Sequence, residues 1–155
     1  MGKMKNVGIL MICWGLLCGC STKSEKLEIA VIVKSTTSQF FKSVHSGANA
    51  ASKEYNIELT FMGPENEEDY QSQIAMVDTA IRYKVDAIVL SSIDYVKLVE
   101  PVENAIAQGI PVIIIDSDVK SDKVSTRITT NNFEAGQMAG DAILTLGERS
   151  LNVGI

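Results

Sequence analysis

Hydroxyl, carboxylate and aromatic side chains stand close together at a few points of this sequence. Ser38 precedes the aromatic pair Phe40 and Phe41, and two carboxylates, Asp94 and Asp116, follow short apolar runs. Hydroxyls and ionised carboxylates hydrogen-bond to polar ligand groups, and an aromatic face covers an apolar one. This combination suits a small polyhydroxylated molecule.

Structural roles remain open for the same residues. Core packing in a helix is the alternative for Phe40 and Phe41, and it is the preferred one for Phe41. Ser91 and Ser92 are typical helix-capping residues, and Asp116 could cap a helix or form a turn. A carboxylate directly after the apolar run PVIII nevertheless needs a partner, which favours Asp116 as a site residue.

Catalytic, metal and nucleic-acid functions have no support in the sequence. The glycine-rich phosphate motifs, the nucleophile elbow and the zinc-protease motif are absent, and the single histidine, His45, lies within a predicted helix. All three cysteines fall in the first twenty residues, so the folded part offers neither a disulfide framework nor a Cys/His zinc site. The formal charge is −5, and no basic run offers a surface for nucleic acid. We expect no enzyme, no cofactor and no metal site.

Strands and helices alternate along the chain, which predicts an α/β fold with a doubly wound parallel sheet, in the flavodoxin-like order. Strands are predicted at residues 27–33, 57–62, 86–90, 111–115 and 125–130, and helices at 40–55, 67–81, 96–107 and 133–146. Residues 151–155 start a further apolar segment. Ligands bind such sheets outside the carboxyl ends of the strands, so the loops after each strand are the candidate site.

The first twenty residues have the layout of a secretory signal. Two lysines precede an apolar stretch that is too short to span a bilayer, and a polar segment follows it. The end of that stretch, Leu17 to Cys20, resembles the lipobox of bacterial lipoproteins. On that resemblance residues 1–19 are a lipoprotein signal peptide, Cys20 is lipidated and anchors the chain to the membrane, and residues 20–26 are a tether. A general signal peptide or an uncleaved anchor are the alternatives.

From residue 27 onward the chain resembles the type I periplasmic sugar-binding proteins of the ribose- and galactose-binding group, the solute receptors of ABC importers. The resemblance rests on AVIVKSTTSQFFKSVHSGANAASKE, VDAIVLSSID, GIPVIIIDSD and ITTNNFEAGQMAGDAI in the family's order and spacing. Members of this family have two lobes that close on a sugar around a hinge. The resemblance implies an N-terminal ligand-binding lobe at 27–130, and a crossover helix and first strand of a truncated second lobe at 131–155.

The resemblance also assigns roles to single residues. Ser38 stands where the family often has a ligand-contacting Asn, Phe40 and Phe41 match the pair that flanks the sugar, and Asp116 matches the Asp that binds hydroxyls. Ser117 replaces an Arg that clamps hydroxyls in pentose and hexose binders, which argues against a standard aldopentose or aldohexose as ligand.

The function expected from the resemblance is capture of a sugar-like ligand on the extracytoplasmic face of the membrane, for delivery to an ABC permease. The alternative is a receptor that signals to a partner histidine kinase or chemoreceptor. A regulator of the lactose-repressor type conflicts with the leader. An enzyme of the receiver or flavodoxin type would need an acidic cluster or a phosphate loop after the first strand, where Lys34 and a Ser/Thr run stand instead.

Overall fold

A computed structural model describes residues 26–145 and residue 154, and within them strands and helices alternate as predicted. The strands are β1 (Glu28–Ile32), β2 (Glu58–Met62), β3 (Ala87–Leu90), β4 (Val112–Ile115) and β5 (Thr126–Ile128). The helices are α1 (Gln39–Glu54), α2 (Tyr70–Tyr83), α3 (Val99–Ala107) and α4 (Asn132–Leu144).

The five strands form one parallel sheet in the order β2-β1-β3-β4-β5, which confirms the flavodoxin-like order. The strand order reverses between β1 and β3, because the chain moves from β1 to β2 on one side and then returns to β3 on the other. Because the strands are parallel, their carboxyl ends all lie along the same border of the sheet, which we call the carboxyl edge. In sheets of this kind, ligands bind at that edge, near the point where the strand order reverses.

Both faces of the sheet are apolar because the central strands are buried on both sides. Alternate residues of β1 divide between two clusters: Ala30 and Ile32 pack under α2 and α3, whereas Val31 packs with Phe41 of α1. This doubly wound arrangement explains why β1, β3 and β4 are apolar almost throughout. It holds the loops at the carboxyl edge on a packed support.

The start of α2 differs from the prediction. Glu67 was expected in the first helical turn, but the helix begins at Tyr70 and Glu67 lies in the preceding loop. Asp69 sets this boundary, because its side chain accepts a hydrogen bond of 2.9 Å from the backbone N–H of Ser72 and so caps the helix. The loop after β2 is therefore longer than expected and reaches the carboxyl edge.

The start of α3 also comes later than predicted, at Val99 instead of residue 96. The Asp94 carboxylate accepts hydrogen bonds of 2.8 Å from the N–H groups of Val96 and Lys97, which forms a tight turn before the helix. The predicted stop is correct, since Gly109 follows α3 with a φ of +85°, a conformation that glycine adopts without steric cost.

The last helix, α4, is capped by Asn131, whose side chain accepts from Glu134 N–H at 3.2 Å. No residue of α4 is buried. The predicted leader with Cys20 and the predicted strand at 151–155 lie outside the described residues, apart from residue 154. Within the described part of the chain, every helix is too short or too polar to cross a bilayer.

Candidate functional site

The candidate site lies at the carboxyl edge, beside the point where the strand order reverses. Lys34 follows β1 by two residues, Ser91 directly follows β3, and Asp116 directly follows β4. The structure brings these three residues together although up to 82 positions separate them in sequence. A contact network of this kind requires the parallel sheet, because each residue comes from a different strand.

Asp116 is the centre of the network. Its Oδ2 accepts hydrogen bonds from Ser91 Oγ at 2.9 Å and from Ser117 Oγ at 3.0 Å, and it lies 3.3 Å from Lys34 Nζ. Within residues 26–145 all of these contacts reach Oδ2, so Oδ1 is the oxygen turned to other partners. Asp116 has a φ of +57°, in the left-handed region that Asp tolerates better than most residues. This conformation ends β4 and turns the chain at the site.

The surroundings of Asp116 keep its carboxyl ionised. Partial burial raises its pKa, but the hydroxyls of Ser91 and Ser117 and the ammonium of Lys34 outweigh that effect, and the pKa lies below the ordinary value of 3.8. An ionised carboxylate accepts hydrogen bonds only, so Asp116 presents acceptors at neutral pH.

Lys34 is the main site residue that was not predicted. Its ammonium donates to Ser117 Oγ at 2.9 Å, lies 3.4 Å from Glu67 Oε2, and stands 5.9 Å from the ring centre of Phe41. Its side chain is 20% exposed. The signal that could have found it is positional, since Lys34 follows a buried strand as Asp116 does.

Gln73 of α2 joins the loops of the site from below. Its side chain is 0% exposed, and its Nε2 donates to Val33 O at 3.1 Å and to Ser91 O at 2.9 Å. Its Oε1 accepts from Ile93 N–H at 2.8 Å. Gln73 therefore positions the residues after β1 and β3 without facing the edge itself. The available signal was a polar residue within the buried stripe of a helix.

The Ser/Thr run after β1 hydrogen-bonds to the loop after β2. Ser35 Oγ and Thr37 Oγ1 donate to Glu65 O at 2.9 and 2.8 Å, and Thr36 N–H donates to Pro64 O at 2.9 Å. These residues hold the loop after β2 against the loop after β1. Their hydroxyls therefore make hydrogen bonds within the protein.

Ser38 and the two phenylalanines stand at the start of α1. Ser38 is the N-cap residue, but its hydroxyl makes no capping hydrogen bond, so the group is open to another partner. Phe40 is 57% exposed, whereas Phe41 is 1% exposed and packs against Val31 and Val33. The two rings meet edge to face, with centres 5.0 Å apart. Phe41 is thus a core residue, which is the alternative preferred for it from the sequence, whereas Phe40 is exposed at the surface.

A groove of about 350 Å³ lies between α1 and the ends of β4 and β5. It brings together the exposed ring of Phe40 and the carboxylate of Asp116. Its other walls are Val44, Ile115, Ile128, Thr129 and Thr130. One wall is therefore aromatic and aliphatic, and one end carries a charged acceptor.

The loop after β3 holds the remaining predicted residues. Ser91 and Ser92 are buried and cap no helix: Ser91 binds Asp116, and Ser92 Oγ donates to Asp94 O at 2.8 Å. Asp94 provides the turn described above. The N–H groups of Lys97 and Val96 hold the pKa of Asp94 below its usual range, so its carboxylate already serves the loop.

His45 lies away from this network. Its ring stacks on Phe61 of β2 with centres 4.2 Å apart, on the side of α1 that faces the sheet edge at β2. Across residues 26–145 and 154, no three His, Cys, Asp or Glu side chains are grouped so as to hold a metal ion.

Comparison with known proteins identifies the chain's family. Residues 29–155 match the family described as the periplasmic binding protein domain. The ribose import binding protein of Bacillus subtilis is 28% identical over 119 residues, which cover 77% of this chain and 38% of that protein. The D-apiose import binding protein of Paraburkholderia graminis is 31% identical over 123 residues, covering 78% and 39%.

Solved structures agree with this assignment. An ABC transporter solute-binding protein from Agrobacterium vitis, with bound D-fucose, superposes with a TM-score of 0.71 and 39% identity, over 76% of this chain and 42% of that one. The chain spans less than half the length of each of these proteins. The resemblance predicted from the sequence is confirmed: the chain belongs to the periplasmic binding protein domain family.

Proposed function

We propose that this chain binds a small uncharged polyhydroxylated ligand at the carboxyl edge, as part of a solute-binding protein that serves an ABC importer. The observation that carries the proposal is that Asp116, whose carboxylate pairs with Lys34, lines the same groove as the exposed residue Phe40.

The chemistry of these groups suits a sugar-like molecule. A ligand hydroxyl can donate to the carboxylate of Asp116 and accept from the ammonium of Lys34. Hydrogen bonds to charged groups contribute more than neutral ones, about 1.5 to 3 kcal/mol each. The ring of Phe40 offers an apolar surface to the C–H face of a sugar ring. Ser38, the N-cap residue of α1, supplies a further hydroxyl two positions before Phe40.

The relatives support the importer over the sensor. Two carry the word import in their names, with ribose or apiose as the bound sugar, and solved neighbours carry D-fucose or D-allose. These proteins bind solutes, which supports a binding function over a catalytic one. A neutral polyol is the ligand class shared by all four.

We further propose a second wall for the site. The groove is open on one side, whereas small-molecule sites commonly bury about 70 to 90% of their ligand. The resemblance places residues 27–130 in one lobe and residues 131–155 at the crossing into a second lobe that would close over the ligand. In α4 every residue is exposed except Ile143, which is half-buried. This exposure supports a second lobe that packs against the helix. With one lobe alone we expect weak binding, in the millimolar range.

Location follows the same reasoning. The family name and the leader support an extracytoplasmic site, and the lipobox resemblance supports a lipid anchor at Cys20. The permease would then receive ligand from a protein held at the membrane surface.

The experiment is a titration of the isotope-labelled chain, followed by amide chemical shifts, with the four sugars named for its relatives: D-apiose, which is branched, D-fucose, which lacks one hydroxyl, D-ribose and D-allose. We expect Asp116→Asn to abolish the response or weaken it at least tenfold, because Asn keeps the shape and tolerates the left-handed backbone but lacks the charge. Asp78→Asn, exposed on α2, is the matched control and should bind as the parent does. Equal binding by both variants would contradict the proposed site.

A further inference from the structure

The ammonium of Lys34 donates one hydrogen bond, to Ser117, and forms ion pairs with two carboxylates. An ammonium group has three N–H donors. Three acceptors surround it: Ser117 Oγ at 2.9 Å, Asp116 Oδ2 at 3.3 Å and Glu67 Oε2 at 3.4 Å. A ligand oxygen that approaches Lys34 therefore competes with these three acceptors.

Glu67 is the partner that a ligand would replace. Its side chain is 49% exposed, against 35% for Asp116, and its distance to Lys34 is the longest of the three. Asp116 is also held by two hydroxyls and ends a strand, whereas Glu67 lies in a loop. The exchange costs least at Glu67.

Once replaced, Glu67 still stays close to the site. Its loop is held by the hydrogen bonds from residues 35–37 to Pro64 and Glu65. The segment from residue 65 to residue 69 reads ENEED and carries four acidic side chains. An incoming ligand group therefore meets negative charge on the loop side of Lys34 as well as at Asp116.

Charge at this point separates two ligand classes. Two carboxylates flank one ammonium, so the local balance is negative. A ligand oxygen within hydrogen-bond distance of Lys34 lies within about 6 Å of the Glu67 carboxylate. At a partly exposed site, repulsion between a negatively charged ligand group and that carboxylate weakens binding about tenfold. An uncharged hydroxyl does not experience this repulsion.

We propose that Glu67 is a selectivity residue. It forms an ion pair with Lys34 in the free protein, and it disfavours ligands that bring a carboxylate or phosphate to Lys34. The proposal rests on the proposed function, since it requires the ligand to bind at Lys34. It adds a role for a loop residue that touches neither the sheet nor the groove.

The test compares each neutral sugar with its own acid. The full 155-residue chain is titrated with D-apiose, D-fucose, D-ribose and D-allose, and with the aldonate of each sugar, at equal sodium chloride concentration, and amide shifts give the dissociation constants. The variants are Glu67→Gln, which keeps size and hydrogen bonding, and Glu68→Gln, which removes the same charge one residue away. Thermal unfolding of each variant shows that it is folded.

The proposal expects the acid to bind at least tenfold more weakly than its sugar in the parent chain. Glu67→Gln should narrow that ratio about tenfold, and Glu68→Gln should leave it within twofold. A ratio that Glu67→Gln changes by less than twofold, or that both variants change equally, would overturn the role of Glu67 while leaving sugar binding in place. Failure of all four neutral sugars to bind the parent chain would instead overturn the proposed function, and this role with it.

Discussion

Replacing Gln73 with leucine removes the amide that joins the loops of the site, while keeping a side chain of similar size. The amide is 0% exposed and makes three hydrogen bonds of 2.8 to 3.1 Å to backbone groups of Val33, Ser91 and Ile93. A buried polar group without a partner costs about 1 to 3 kcal/mol. The added apolar burial of leucine offsets about 1 kcal/mol. Even at the lower end, three such groups less this offset give a loss of at least about 2 kcal/mol in the free energy of unfolding.

Urea denaturation followed by circular dichroism measures this loss. Gln71→Leu is the matched control, because Gln71 lies two positions away on the same helix and is exposed. The reasoning would be refuted if the two variants differed by less than about 1 kcal/mol, which is within the range of ordinary surface substitutions. A second reading is the titration of Asp116: a displaced Ser91 hydroxyl should raise the pKa of Asp116, and Gln71→Leu should leave it unchanged.

Three further predictions concern other parts of the chain. Gly63→Ala should destabilise the fold by about 1 to 3 kcal/mol in thermal unfolding, because the added Cβ would lie 2.7 Å from the backbone oxygen of Val33. The control Gly47→Ala has open space around the added Cβ and should stabilise α1 by about 0.5 to 1 kcal/mol. Equal effects of the two substitutions would contradict the close approach at Gly63. Folding lowers the pKa of Asp116, so the stability contributed by its ionised form should be present above pH 4 and fade as the pH falls through the pKa of the folded state. Denaturation of the parent and of Asp116→Asn should therefore show a smaller difference in unfolding free energy at pH 3 than at pH 6. Cys20→Ala should abolish incorporation of labelled fatty acid and release the protein from the membrane fraction, and unchanged labelling would refute the lipobox.

The sheet order could be predicted because it depends on features that are local in sequence. Short apolar runs alternate with amphipathic segments, and the right-handed crossover rule then restricts the topology. The boundaries were less certain, because a single cap decides them. Asp69 moved the start of α2 beyond Glu67, and the turn at Asp94 delayed α3.

The site could be predicted only where a residue's position relative to a strand was informative. Asp116 stands directly after an apolar strand, and its proximity to Ser91 follows from the parallel sheet. Lys34 also follows a buried strand, but its role, like the roles of Glu67 and Gln73, depends on contacts between loops that only the folded chain brings together. Their partners lie from 18 to 83 positions away in sequence.

The most direct test of the account is a map of the amide shifts that a neutral sugar causes in the parent chain. With whichever of D-apiose, D-fucose, D-ribose and D-allose binds, the account predicts that the responding amides cluster at the carboxyl edge, at Lys34, Ser92 and Ser117 and along the start of α1. The amides of Asp86 and Gly109, at the opposite edge of the sheet, should not respond. Shifts that cluster at the opposite edge, or that spread evenly over the surface, would contradict the claim that the carboxyl edge is the sugar site.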